Sequence, residues 1–226
     1  MTHFRLSILL ALVLLLFAGG CSKQPRSTAD IPVVFSHRYS IAVMPFSQPT
    51  DTGSLITGQL PADQGIIPAD QLILLDADLE QKLLSQKKDR VISFHKTQPP
   101  LSAQGTSFHT ASQPEALPGW VSLGKKTGKD FILVPMVINW HDREGSKAGV
   151  TEPAEVHIEF YLIRTDTGTI YNHAAFEERQ VGLTSNLLSM GEFVKRKGAW
   201  VSARELAGEG MDAMLKKMGL ASSYAK

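Results

Sequence analysis

The sequence predicts an α/β domain of two layers, a mixed sheet of about five strands in the order β-α-β-α-β-β-β-α with its helices packed mainly on one face. Three observations lead there. Residues 155–164 alternate strictly, with Val156, Ile158, Phe160 and Leu162 on one side and His157, Glu159 and Tyr161 on the other, the period of a half-buried strand. Residues 131–140 form a long apolar run of strand-like composition. Ala203, Ala207, Met211, Met214 and Met218 recur at helical spacing, which gives one apolar stripe for a core.

In chain order, Tyr39 to Phe46 reads as a short buried strand that stops or bulges at Pro45, which has no N–H for a ladder. Residues 47–68, rich in Gly, Pro, Thr and Asp, form a long loop. Ala69 to Gln86 is a helix: Leu72, Leu75, Leu79 and Leu83 make its stripe, and Ile73 and Leu84 broaden it. Pro68 suits its first turn, and Asp70 complements the helix dipole. Arg90 to Phe94 is a second strand.

Residues 96–118 hold four prolines, and so long a connection is either a plain excursion or a binding loop. Gly119 to Thr127 is a short helix capped by Gly128. The run 131–140 should be a central strand, although Pro135 interrupts it and argues for an edge position or a bulge. Gly168 lets residues 166–168 turn a hairpin, so that Ile170 to Arg179 returns antiparallel. Thr184 to Lys197 is weakly helical. Ser202 and Glu205 form a capping box for the last helix, and Gly219 ends it.

The N-terminus is an export signal. Arg5 supplies the positive start, an apolar run follows to Phe17, and small residues lead to Cys21. The run is shorter than the roughly 20 residues a membrane-spanning helix needs. Ala18-Gly19-Gly20-Cys21 resembles the bacterial lipobox, with Ala18 standing where that family usually has Leu. The resemblance implies cleavage between Gly20 and Cys21 and acyl chains, palmitate among them, on the Cys21 sulfur. Ser22, rather than Asp, after the cysteine implies the outer membrane of a Gram-negative cell. Cys21 is the only cysteine in the chain. No internal disulfide can form, and acylation accounts for an otherwise stray thiol. Residues 21–38 then form the lipidated cysteine and a flexible tether, 39–220 one periplasmic domain with long loops at 47–68 and 96–118, and 221–226 a tail.

Composition narrows the function classes. Among 226 residues Lys and Arg total 23 against 22 Asp and Glu. Loss of Arg5 with the leader leaves the two equal, so no basic field exists to gather nucleic acid. Gly119 to Lys126 comes close to a phosphate-binding loop, but Lys126 stands where the motif needs a hydroxyl and no strand precedes it. No nucleotide partner is expected.

No Gly-x-Ser-x-Gly elbow and no His-Glu-x-x-His helix occur. With a three-residue hairpin loop, Tyr161 faces His173 and His157 faces Glu177. The two histidines then lie more than about 10 Å apart along the strands, too far to share a zinc ion, and a His157–Glu177 surface pair is expected instead. His141-Asp142 has no second cluster beside it. The sequence therefore offers no catalytic residue, no metal site and no cofactor. Trp120, Trp140 and Trp200 read as core residues. Lys195, Arg196 and Lys197 beside Trp200 are candidate partner contacts, for a protein or for anionic headgroups, or else a solvated turn.

A family resemblance comes from the opening strand Ile41 to Phe46, the helix after it, the short helix running into Thr127 to Val134, and the hairpin at Asp166-Thr167-Gly168. Together these look like a group of periplasmic lipoprotein domains that includes the N-terminal domain of TolB, the curli secretion lipoprotein CsgG and the penicillin-binding-protein activator LpoB. The resemblance covers about two thirds of the chain after the leader, and the long loops and residues 183–200 depart from it. It implies a non-enzymatic module that contacts an envelope protein or copies of itself, in cell-wall synthase activation or in a secretion assembly. The alternative is a peptidoglycan-acting enzyme or a glycan-binding protein of the envelope.

Overall fold

The computed structural model describes residues 36, 38–85, 91–96, 112–147, 149–180 and 199–221. The elements are β1 (Ile41–Val43), α1 (Ala69–Ser85), β2 (Ile92–Phe94), α2 (Leu117–Thr127), β3 (Phe131–His141), β4 (Glu144–Ser146), β5 (Gly149–Glu152), β6 (Glu155–Arg164), β7 (Ile170–Arg179) and α3 (Ala203–Lys217). Five strands make one mixed sheet in the order β2-β1-β3-β6-β7. β1 is parallel to β2 and β3, while β3, β6 and β7 are antiparallel in succession. The predicted order of elements is present, with a small β4–β5 ribbon added. The signal for that ribbon lies in its glycines: Gly145 takes φ +114°, and a Cβ there would meet the Gly149 carbonyl oxygen at 2.6 Å.

The period-two pattern of β3 and β6 sorts the core into two clusters. On one face Leu133, Val137, Val156, Ile158, Phe160 and Leu162 lie under Leu75, Leu79 and Leu83 of α1 and Leu206, Met211 and Met214 of α3. Each such side chain contributes about 1.5–3 kcal/mol when fully buried. α3 is capped as its sequence predicts, Ser202 and Glu205 forming a reciprocal capping box. It lies so close to β7 that a Cβ on Gly210 would meet the Phe176 ring at 2.4 Å. On the other face Ile132, Val134, Met136, Tyr161 and Ile163 lie under α2, whose Trp120 is fully buried, and under Leu55 and Ile56 of the 47–68 loop. Two helices thus pack on one face and one on the other.

Three expectations change. Ile73 and Leu84 do not broaden the buried stripe of α1: Ile73 is 69% exposed, because α3 and the sheet already cover the leucine side of the helix. β3 is central, as its long apolar run predicts, but Pro135 marks neither an edge nor a bulge: the register shift falls between Val137 and Asn139. Pro135 is tolerated because β1 breaks opposite it, at Pro45, and resumes as a single bridge from Ser47 to Met136. Phe46 directs its N–H away from the sheet, to Asp76 Oδ1 on α1 at 2.7 Å. The hairpin loop has four residues, not three: Arg164 N–H donates to the Thr169 carbonyl at 2.9 Å and Gly168 N–H to the Arg164 carbonyl at 3.0 Å. An irregularity beside Tyr171 absorbs the extra residue, so Tyr161 still faces His173 and His157 still faces Glu177.

The 47–68 loop is stitched to the sheet by amides. Asn139, buried at the irregularity of β3, accepts from Gly65 N–H at 2.7 Å and donates to Glu155 at 2.8 Å. Gln64 donates to the carbonyls of Pro49 and Ile138, both at 2.8 Å. Bonds made by a buried polar group such as Asn139 favour one conformation, since each lost bond costs about 1–3 kcal/mol.

Candidate functional site

The second face also carries the polar side chains of β6 and β7. The strand period places His157, Glu159 and Tyr161 in line on β6, and the pairing brings His173 of β7 beside Tyr161. Glu159 is the hub. Its Oε1 accepts from His157 Nε2 at 3.1 Å and its Oε2 from His173 Nε2 at 3.3 Å. The Tyr161 hydroxyl donates to Oε2 as well. The His173 and Tyr161 rings stack, with centroids 4.4 Å apart and planes at 16°. The 47–68 loop closes the cluster: Thr57 Oγ1 and the Tyr161 hydroxyl are 2.8 Å apart. Since Tyr161 commits its one proton to Glu159, Thr57 is the donor of that pair.

Only 13% of the Glu159 side chain meets solvent. Burial alone would raise its pKa, but bonds from His157, His173 and Tyr161 outweigh burial and hold the carboxyl at about 2. Burial, with the bond to Glu159, pushes the Tyr161 hydroxyl well above its ordinary value. Across neutral pH Glu159 stays a carboxylate and Tyr161 a phenol, so neither is tuned for proton transfer. This hub fixes the shape and charge of the surface around it.

Other sequence candidates fall as follows. His157 lies opposite Glu177, as the register predicts, but its carboxylate partner is Glu159, two residues along its own strand. The signal for the hub was the His157-x-Glu159-x-Tyr161 spacing, which puts all three on one face. His141 Nε2 lies 3.2 Å from the Asp63 carbonyl, and Asp142 accepts from Ala203 N–H at 2.9 Å at the start of α3. The near phosphate-loop Gly119–Lys126 falls within α2 and is helix, not loop. Among the described residues no group of three or more His, Cys, Asp or Glu is arranged to hold a metal ion. Trp120 and Trp140 are core residues. Trp200 is half-buried: its N–H donates to the Lys147 carbonyl at 3.1 Å, and its carbonyl accepts from Arg143 at 2.7 Å. Gly20, Cys21, Lys195, Arg196 and Lys197, with the 184–197 segment, lie outside the described residues, as does most of the 96–118 loop.

No family model and no curated protein matches the chain. Among solved structures it is similar to the PelC dodecamer from Paraburkholderia phytofirmans, at 11% identity and a TM-score of 0.47 over 84% of this chain and 94% of that one. It is similar also to lipoprotein GNA1162 from Neisseria meningitidis, at 13% identity and TM-score 0.35 over 71% of this chain and 95% of that one. A third is the hypothetical protein CT253 from Chlamydia trachomatis, at 10% identity and TM-score 0.37 over 79% and 93% of the respective chains. These are loose likenesses of chain trace and carry nothing about activity. They do not establish the resemblance to the TolB, CsgG and LpoB group.

Proposed function

We propose that this chain is a lipid-anchored, non-enzymatic binding or assembly module of a Gram-negative envelope, held at the outer membrane through Cys21 and facing the periplasm. The observation that carries the binding role is β7. It runs for ten residues and pairs with β6 alone among the described strands. Its first seven residues, Ile170 to Phe176, carry no Lys, Arg, Asp or Glu, the charges by which natural edge strands prevent pairing; those gather at the end of the strand, in Glu177, Glu178 and Arg179. A partner strand, from another envelope protein or a second copy, gains main-chain hydrogen bonds there. The committed protons of the Glu159 hub support a shaped surface over a reaction centre.

The test is photo-crosslinking in cells from a reactive residue at Ala175, with Ile73 on the opposite face as control. One defined protein adduct or a self-adduct from position 175, absent from position 73, is expected. Equal, diffuse adducts from both positions, or a clear zone around the protein in a peptidoglycan zymogram, would replace this reading with that of a cell-wall enzyme. The anchor has its own test. Cys21→Ala should move the protein from the membrane pellet to the soluble fraction, because the acyl chains supply about 0.8 kcal/mol per buried methylene. Unchanged sedimentation would remove the anchor.

A further inference from the structure

One end of the domain gathers features that its parts do not account for singly. Ile41 pairs with both Ile92 and Phe131, so β1, β2 and β3 all begin there. Arg164 pairs with Phe131, which places the hairpin turn there too. α2 ends there at Gly128, just ahead of β3. α3 starts at the opposite end, beside Asp142, and runs in the same direction as α1, joined to it by Arg204–Asp78 at 2.8 Å and then Lys82–Asp212 at 2.7 Å.

That end is aromatic and cationic. Tyr39, Phe131 and Tyr171 form a row of edge-to-face rings with successive centroids 5.2 Å apart. Phe131 is buried, whereas Tyr39 is 43% and Tyr171 50% exposed. Tyr39, Lys125, Lys129 and Arg164 line a shallow hollow of about 330 Å³, and Lys126 adjoins Lys125 in the last turn of α2. The two carboxylates of the hollow are committed. Asp130 accepts from the Ser40 N–H and hydroxyl at 2.7 and 2.8 Å, and Asp166 pairs with Arg164 at 2.6 Å. Lys125, Lys126 and Lys129 make no ion pair with any described residue. The opposite end carries Glu144, Glu152 and Glu155 near Arg179.

The connection to Cys21 joins the domain here: residues 22–38 separate the anchor from Tyr39. We infer that this end rests on anionic phospholipid headgroups of the leaflet that holds the acyl chains, with Tyr39 and Tyr171 at headgroup level and Lys125, Lys126 and Lys129 as counter-charges. Tyrosine is enriched at that depth because its ring is apolar and its tip is wet, and lysines gain from the negative surface potential within a Debye length, about 8 Å at physiological salt. The inference rests on the anchor proposed above. It orients the domain, so that β7 and the Glu159 hub rise from the membrane along their strands and the β4–β5 ribbon points into the periplasm.

The test uses the full lipidated protein on vesicles of phosphatidylcholine containing phosphatidylglycerol, with amine-reactive labelling read by mass spectrometry. Lys125, Lys126 and Lys129 should react about fivefold more slowly than in the soluble Cys21→Ala protein, the equivalent of ~1 kcal/mol per cation at an anionic surface. Lys147, at the far end, should not change. In a Lys125→Glu, Lys126→Glu double variant, which alters two exposed positions, the protein should still float with vesicles while Lys129 loses its protection. Flotation with equal labelling of Lys125, Lys126 and Lys147 would overturn the orientation and leave the anchor standing. Failure of the unsubstituted protein to float would overturn both.

Discussion

Two carboxylates on opposite faces of the sheet are pushed in opposite directions. Asp76 of α1, half-buried on the α1–α3 face, has a pKa raised by burial, which its one backbone bond from Phe46 only partly offsets. Glu159 of β6, on the other face, is also buried, yet three side-chain donors hold it at about 2. Burial alone therefore does not decide the fate of a charge in this domain. The number of donors that converge on it does. One donor makes Asp76 a tolerated clasp for the end of β1, and three make Glu159 the organiser of a surface.

The comparison can be broken most forcibly by a carboxylate with no donor at all. Met211 of α3 is fully buried among apolar side chains. Met211→Asp removes a core side chain and adds a charge, so it should cost more than about 4 kcal/mol and abolish the cooperative thermal transition. A melting temperature within a degree or two of the parent would show that the α3 face is not the dry core described.

Glu159→Gln comes next. The amide keeps one acceptor for three donors, and the stranded groups should cost about 2 kcal/mol at pH 7 in urea unfolding. The pH dependence carries the sign. Because the folded pKa lies below the ordinary 4.5, the stabilisation is fully present above 4.5 and is lost as pH falls toward about 2. The gap between parent and variant should hold from pH 7 to 5 and close below 4. A gap that widens on acidification would refute the hub.

His173→Ala removes one of the three donors from a more exposed position, and about 1 kcal/mol is expected by the same measurement. Retention of the full parental stability would mean that His157 and Tyr161 suffice. Asp76→Asn should have the smallest effect, within about 0.5 kcal/mol at pH 7, since the amide still accepts from Phe46 and a disfavoured charge is gone. Its raised pKa means that the parent is stabilised as pH falls toward 3.8, and the variant should lack that slope. A large loss at neutral pH would show that the charge itself holds the clasp.

The α3 face was legible because periodicity and burial are local matters. Ala203, Met211 and Met214 announce their stripe, and Ser202 and Glu205 their capping box, within one segment. The β6–β7 register was legible for the same reason, even though the loop is one residue longer than predicted, because an apolar face cannot slip by one residue without exposing itself. The Glu159 hub was half legible. Its residues share a face by spacing, but His157 turned along its own strand instead of across to Glu177, a choice between two nearby carboxylates that no pattern encodes.

From sequence alone came the order of elements and the alternation that gives β6 an apolar face and a more polar one. Each follows from short-range chemistry: side-chain period, turn residues and apolar run length. The tertiary structure alone decided that Ile73 would lie exposed, that Pro135 could sit in a central strand because β1 breaks opposite it, and that the 47–68 loop would bring Thr57 to Tyr161. It also put Tyr39, Lys125 and Tyr171 at one end. Those outcomes depend on which distant groups compete for the same space and the same hydrogen bonds, and only the packed chain determines that.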